Sequence, residues 1–389
     1  MTYIKSNDKT FNKVGVKMIY LDYAATTPIS DDALFVYNEA SKKYFANASS
    51  LHELGTKANE ALEASRMSWA QMINGEKEGI YFTSGGTESN QLALLSIIEG
   101  NKHRGNHLIT TKTEHSSVYH LFKKLETEGF RVTYIDVNED GIINVNDIER
   151  AITSDTILVS IQYVNGEIGT INPIAEIGAL LETKKVMFHT DCVQAFGNVL
   201  IDVKRFTIDS LSVSSHKLYG PKGIGMCFIN PRIEWKSQIP HTSHEYGFRP
   251  GTVDVPAILS FTFAGQQAEK HRNENKEKYS TLRQELLFRL QRDVKDYEVY
   301  ESKINQLPQI VGLSVGGLQG QYIMLKCNEN SICVSTGSAC QVGQQEPSRM
   351  LLSMGKSRDE ANQLVRVTLG KTTTIADIEQ LVQVLQQIS

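Results

Sequence analysis

Between residues 80 and 229, short runs rich in β-branched residues alternate with longer segments of helical periodicity. The strand-like runs are 80–83, 107–111, 131–136, 156–161, 186–190, 209–214 and 224–229. The helical patterns between them are 87–99, 116–128, 146–152 and 174–184. Several runs are continuously apolar, as strands are when both faces of their sheet are covered. This alternation predicts an α/β domain built on a seven-stranded, mostly parallel sheet with helices on both sides. Two further helical patterns, 31–44 and 56–73, precede it. After residue 266 the texture changes. A long polar helix pattern covers 267–295, followed by short strands at 297–300, 309–315, 331–335 and 365–369 mixed with helices, which predicts a smaller α+β domain.

Composition narrows the function classes. Of 389 residues, 40% are hydrophobic and 22% charged, which excludes disordered and fibrous chains. A net charge of −4 gives no nucleic-acid footprint. No run reaches the roughly 18 apolar residues of a membrane span. The five cysteines, Cys192, Cys227, Cys327, Cys333 and Cys340, are odd in number and contain no Cys-x-x-Cys pair. That pattern predicts a reducing cytoplasm rather than a disulfide framework, and no metal site. Residues 1–17 lack the apolar centre of a signal peptide and read as a polar N-terminal extension.

In an open parallel sheet, ligands bind beyond the carboxyl ends of the strands. Ser84-Gly85-Gly86-Thr87-Glu88-Ser89-Asn90 follows the first run, and Glu114-His115 the second. Asn165-Gly166-Glu167, Asp191 with Gln194, and His216-Lys217 follow later ones, so polar and ionisable groups collect along one edge. The glycines before a helix start offer free N–H groups and a positive helix end, which suit a phosphate. Gly370-Lys371-Thr372 and Gly355-Lys356-Ser357 end like nucleotide P-loops, but Val365 and Met350 stand where glycine is required. A lysine, a carboxylate and a phosphate cradle at one edge match the needs of pyridoxal phosphate. Lys217 would bond the cofactor and Asp191 would face its ring nitrogen. His115 would lie over the ring or move a proton.

The motifs Tyr20-Leu21-Asp22-Tyr23-Ala24-Ala25-Thr26-Thr27-Pro28, Ser84–Asn90, Thr113-Glu114-His115, Asn165-Gly166-Glu167-Ile168-Gly169, Ser214-Ser215-His216-Lys217 and Ser335-Thr336-Gly337-Ser338-Ala339-Cys340 occur in this order. Together they resemble the cysteine desulfurases of the NifS/IscS type, from about Tyr20 to the C-terminus. The resemblance implies the fold type I, aspartate-aminotransferase-like architecture of pyridoxal-phosphate-dependent transferases. It divides the chain into a large cofactor domain over 28–266 and a small domain of 18–27 and 267–389.

Residue by residue, the resemblance makes Lys217 the cofactor-linked lysine, Asp191 the ring-nitrogen partner and Gln194 the partner of the phenolic oxygen. His115 becomes the stacking histidine. Gly86, Thr87, Ser214 and His216 become phosphate contacts, and Thr252 one lent by the other subunit of a homodimer. Asn165 and Arg366 would hold the substrate carboxylate, and Cys340 would be the nucleophile. The implied reaction converts L-cysteine to L-alanine and leaves a persulfide on Cys340, for iron–sulfur cluster or other sulfur-containing cofactor biosynthesis. The family commonly carries a triple glycine where this chain has His241-Thr242-Ser243-His244-Glu245, and Ala48, Cys192 and Pro250 also depart from its pattern. These features resemble a NifS-like branch of Gram-positive bacteria linked to iron–sulfur supply for NAD biosynthesis. They imply a sulfur-acceptor scaffold or a client enzyme of that pathway as partner. A selenocysteine lyase or another fold type I enzyme would keep Lys217, Asp191 and His115 without needing Cys340, and a thiol-carrier scaffold would need no cofactor.

Overall fold

The computed structural model describes residues 18–337 and 346–389. Apolar, β-branched strands covered on both faces form its largest sheet. In spatial order the strands are Ile80–Thr83, Gly225–Ile229, Ser210–Ser214, Met187–Asp191, Thr156–Ser160, His107–Thr111 and Arg131–Ile135. All neighbours are parallel except Gly225–Ile229, which runs antiparallel to both of its own. Every residue of six strands is buried; only the edge strand Arg131–Ile135 is partly open to solvent. Each predicted strand is present to within a residue or two.

Helices Gly86–Asn101 and Ser116–Thr127 supply Leu94, Ile97, Val118, Leu121 and Phe122 to a core with Leu108, Ile157, Leu158 and Met187. From His107–Thr111 the chain steps out to Arg131–Ile135, then returns to Thr156–Ser160 on the other side. That reversal is the topological switch point, where open α/β sheets bind ligands.

The chain divides into two compact units. The sheet unit comprises Thr26–Asn165 and Ile171–Asn273. The other comprises residues 18–25, Gly166–Thr170 and, among described residues, 274–337 and 346–389. The short internal piece Gly166–Thr170 belongs with the C-terminal residues because its backbone is bound there. Gly169 and Ile168 carbonyls accept from Leu307 N–H and Gln306 Nε2, and Thr170 bridges Gln306.

The C-terminal unit has a three-stranded antiparallel sheet in the order Val365–Thr368, Ile310–Val315, Tyr297–Tyr300, and a parallel pair of Ile19–Tyr20 with Ile332–Cys333. Its last helix, Ile375–Ile388, starts at a capping box of Thr374 and Asp377 and buries Ile378, Leu381, Val382 and Leu385. The single helix expected over 267–295 is instead two, Val255–Lys270 and Arg272–Asp293, separated at His271. The first starts twelve residues before the expected position, at an Asp254 cap with proline in its opening turn. Its apolar face hid the helix within what read as the end of the first domain. Among the described residues, no helix is long and apolar enough to cross a membrane, and no group of three His, Cys, Asp or Glu could hold a metal.

Candidate active site

The first strand ends at Thr83 and helix Gly86–Asn101 begins at once. Gly85 caps it with φ +149°, a conformation L side chains rarely adopt. No side chain caps this helix start, so its amides are left for a ligand. Glu88 folds back to accept Ser84 N–H at 2.5 Å and Arg249 Nε–H at 2.8 Å.

Across from Gly85 lies the buried Ser214 hydroxyl, which has no hydrogen-bond partner among the described residues. A Cβ on Gly85 would stand 3.7 Å from that oxygen, and one on Gly86 would meet Val193 Cγ2 at 2.6 Å. A buried hydroxyl without a partner is costly, and here it flanks a bare helix N-terminus. The chemistry of this cradle suits a phosphate.

Asp191 ends its strand buried, 6% exposed. Val193 N–H donates to its Oδ1 at 2.9 Å and Asn90 Nδ2 to its Oδ2 at 2.8 Å. Gln194 follows half-buried, its carbonyl accepting from Asn198. His115 caps helix Ser116–Thr127: its Nδ1 accepts Ser117 N–H at 3.2 Å, while the residue stays exposed.

Lys217 lies half-buried in the 3₁₀ turn Ser215–Lys217, directly after strand Ser210–Ser214. Thr27 clamps this turn. Its N–H and hydroxyl both donate to the His216 carbonyl, at 2.9 and 3.0 Å, and its hydroxyl oxygen accepts Tyr219 N–H at 2.9 Å. This gives the Thr26-Thr27-Pro28 motif a physical purpose. Burial, then the nearby lysines Lys217 and Lys222, pushes His216 down to about 4. The ring is therefore neutral near pH 7, and its Nδ1 lies 3.2 Å from Thr26 Oγ1.

Glu114 joins two strand ends by accepting Gln162 N–H at 2.7 Å and Thr111 Oγ1–H at 3.2 Å. Asn165 is buried beside them, with Nδ2 3.5 Å from the Thr113 carbonyl. Thr87 and Thr252 are exposed.

In the C-terminal unit, Arg366 is 4% exposed. It donates through Nη1 to Gly166 O and through Nη2 to Asp22 Oδ1, both at 2.9 Å. Its Nε is buried without a partner among the described residues, a donor available to a carboxylate. Cys340 lies outside the described residues. Of the other cysteines, Cys192, Cys227 and Cys327 are buried and Cys333 is half-buried. Burial raises all four thiols, Cys327 to about 12, so none is prepared as a thiolate.

The sheet unit thus brings together Gly86, Ser214, Asp191, His115, His216 and Lys217. Sequence reasoning assigned no task to Asn90, Ser117 or Thr27, or to Asp22 as the partner of Arg366. All but Ser117 stand inside quoted motifs, which was the available signal.

The aminotransferase class-V family model matches residues 19–381. A NifS protein of Bacillus subtilis (strain 168) is 44% identical over 366 residues, covering 94% of this chain and 93% of the relative. The cysteine desulfurase IscS of Clostridium botulinum (strain Kyoto / Type A2) is 40% identical over 374 residues, covering 96% and 94%. Among solved structures, a NifS-like protein matches with a TM-score of 0.89 at 28% identity, covering 95% of this chain and 99% of that one. SspA in complex with cysteine matches at 0.77 and 31% identity, covering 90% and 98%. Motif order, sheet topology and these matches over nearly the full length agree: the chain belongs to the aminotransferase class-V family, alongside the NifS- and IscS-type proteins.

Proposed function

We propose that this chain is a pyridoxal-phosphate-dependent cysteine desulfurase. The observation that carries the reading is one sheet edge. It holds the buried Asp191 carboxylate, the half-buried Lys217, and the unpartnered Ser214 hydroxyl beside the start of helix Gly86–Asn101, which no side chain caps. The names of the relatives supply the substrate: one is a cysteine desulfurase, and one solved relative holds cysteine.

Bound there, the cofactor would supply an electron sink for bonds at the substrate α-carbon. Gly86, Thr87, Ser214 and His216 hold its phosphate, with Thr252 contributed by the second subunit of a homodimer. Asp191 holds the ring nitrogen, Gln194 the phenolic oxygen, and His115 covers the ring. Lys217, as a free amine, takes and returns the α-proton. Asn165 and Arg366 bind the substrate carboxylate, where the vacant Arg366 Nε favours an anion.

Cys340 attacks the substrate sulfur as a thiolate. A sulfur–sulfur bond forms and the carbon–sulfur bond breaks, its electron pair and a proton ending on the carbon product. L-cysteine and the Cys340 thiol become L-alanine and a Cys340 persulfide, so atoms and electrons balance. The raised thiols of the other four cysteines support Cys340 in this role. The persulfide then passes to an acceptor, an iron–sulfur scaffold or a client enzyme, in the cytoplasm.

Borohydride reduction of the protein with pyridoxal phosphate, followed by peptide mapping, tests the site. The cofactor is expected on Lys217. Attachment at a different lysine, or none, would overturn the assignment.

A further inference from the structure

Asn90 sits in the opening turns of helix Gly86–Asn101 with no exposed surface. Every hydrogen-bonding site of its amide is used. Nδ2 donates to Asp191 Oδ2 at 2.8 Å and to Ser117 Oγ at 3.0 Å. Oδ1 accepts from Ser212 Oγ and lies 3.2 Å from His189 Nε2. The partners are 27, 99, 101 and 122 residues away in sequence, on the neighbouring helix and two central strands.

The chemistry fixes the directions of these bonds. A carboxylate only accepts, so the amide nitrogen faces Asp191 and the carbonyl faces Ser212 and His189. Desolvation pushes the fully buried His189 down to about 3, so it is neutral near pH 7. Its Nε2–H donates to Asn90, and its Nδ1 accepts from Ser210 Oγ at 3.0 Å. Ser117 Oγ, having accepted from Asn90, turns its own hydrogen to His115 Nδ1 at 2.8 Å. The same Nδ1 accepts Ser117 N–H. Both contacts need a lone pair there, which puts the proton of the neutral His115 ring on Nε2.

We infer that Asn90 is a positioning residue that couples Asp191 to His115: it fixes the Asp191 carboxylate as an acceptor for a ring nitrogen and, through Ser117, fixes the His115 tautomer. The inference rests on the cofactor reading above. It goes further by giving one buried amide control over two groups on the cofactor edge, Asp191 at a strand end and His115 at a helix start. His115 then acts toward its surroundings as a donor through Nε2, since a proton on Nδ1 would oppose two donors and break the helix cap.

The test uses holoenzyme reconstituted with pyridoxal phosphate labelled with ¹⁵N in the ring, in wild type, Asn90→Asp and Asn90→Ala. In Asn90→Asp a second carboxylate faces Asp191, and two carboxylates that close share a proton. The ring ¹⁵N signal should move from the pyridinium toward the neutral position, with cofactor affinity falling about tenfold or more. Asn90→Ala removes the donor without adding an acid, and should move both readouts the same way by about threefold in affinity. It also covers the case in which Asn90→Asp fails to fold. In ¹⁵N-histidine spectra, wild-type His115 should be the Nε2–H tautomer, and Ser117→Ala should lose that preference.

A residue that only stabilised the fold would lower the melting temperature and leave the ring signal in place. Wild-type ring signal and affinity in both Asn90 variants would overturn the inference, as would an Nδ1–H tautomer of wild-type His115. Asp191→Ala runs in parallel. If it keeps the pyridinium signal, the assignment of Asp191 itself falls, and the inference with it.

Discussion

Arg66 and Glu245 form a bidentate ion pair with almost no exposed surface, through Nη1–Oε2 at 2.8 Å and Nη2–Oε1 at 2.6 Å. Phe82 N–H also donates to Glu245, at 2.7 Å, and Arg66 donates to the Ile80 carbonyl at 2.7 Å. The pair ties the loop that carries residues 241–246 to strand Ile80–Thr83. That loop holds His241, Glu245 and Tyr246 at φ values of 66°, 47° and 54°, a left-handed conformation that favours glycine. Here non-glycine residues sustain it because a buried ion pair holds Glu245 in place. Breaking one partner leaves a buried unpaired charge, so Arg66→Ala should destabilise the protein by about 3–5 kcal/mol. Denaturant unfolding reads this, and the double variant Arg66→Met with Glu245→Leu should lose less than Arg66→Ala alone. At this scale the sequence named Lys217, Asp191 and His115 from their positions after strands. It could not pair Arg66 with Glu245, 179 residues away, or Asn90 with His189, Asp191 and Ser212, 99 to 122 residues away, because partners so distant leave no local signature.

At the scale of elements, the strands were legible because burial on both faces favours short apolar and β-branched runs such as Ile80–Thr83 and Thr156–Ser160. Helix boundaries inside polar texture were less so: the Val255–Lys270 and Arg272–Asp293 pair reads as one segment until the backbone turns at His271. The sheet edge also has a pH signature. His189 in strand Met187–Asp191 and His216 after strand Ser210–Ser214 are pushed down to about 3 and about 4, chiefly by burial. An unfolded histidine titrates near 6.5, so on acidification the unfolded chain takes up two protons before the folded one does. Stability is full above about pH 6.5 and is lost as pH falls toward the folded values, by up to about 2.7 kcal/mol per pH unit with both groups titrating. Chemical denaturation of the apo-protein between pH 7 and 5 should show this fall. Replacing His189 with Gln should flatten it by about half.

At the scale of the whole molecule, the chain divides into two compact units, and the texture of its sequence changes after residue 266. The membership of Gly166–Thr170 in the C-terminal unit leaves no mark in the sequence, since it depends on bonds to Gln306 and Leu307 far along the chain. The proposed function likewise distributes its chemistry over the chain. The proposed cofactor groups lie in the sheet unit, Arg366, the proposed carboxylate partner, in the other, and Cys340, the proposed nucleophile, outside the described residues. That nucleophile is the central claim, because Lys217, Asp191 and His115 alone would equally suit a pyridoxal-phosphate enzyme that never forms a persulfide. Mass spectrometry of the holoenzyme after brief incubation with L-cysteine tests it most directly. The account predicts one added sulfur atom on the Cys340 peptide, removed by reductant and absent in Cys340→Ala. Added sulfur on Cys192 or Cys333 instead, or undiminished L-alanine formation by Cys340→Ala, would contradict it.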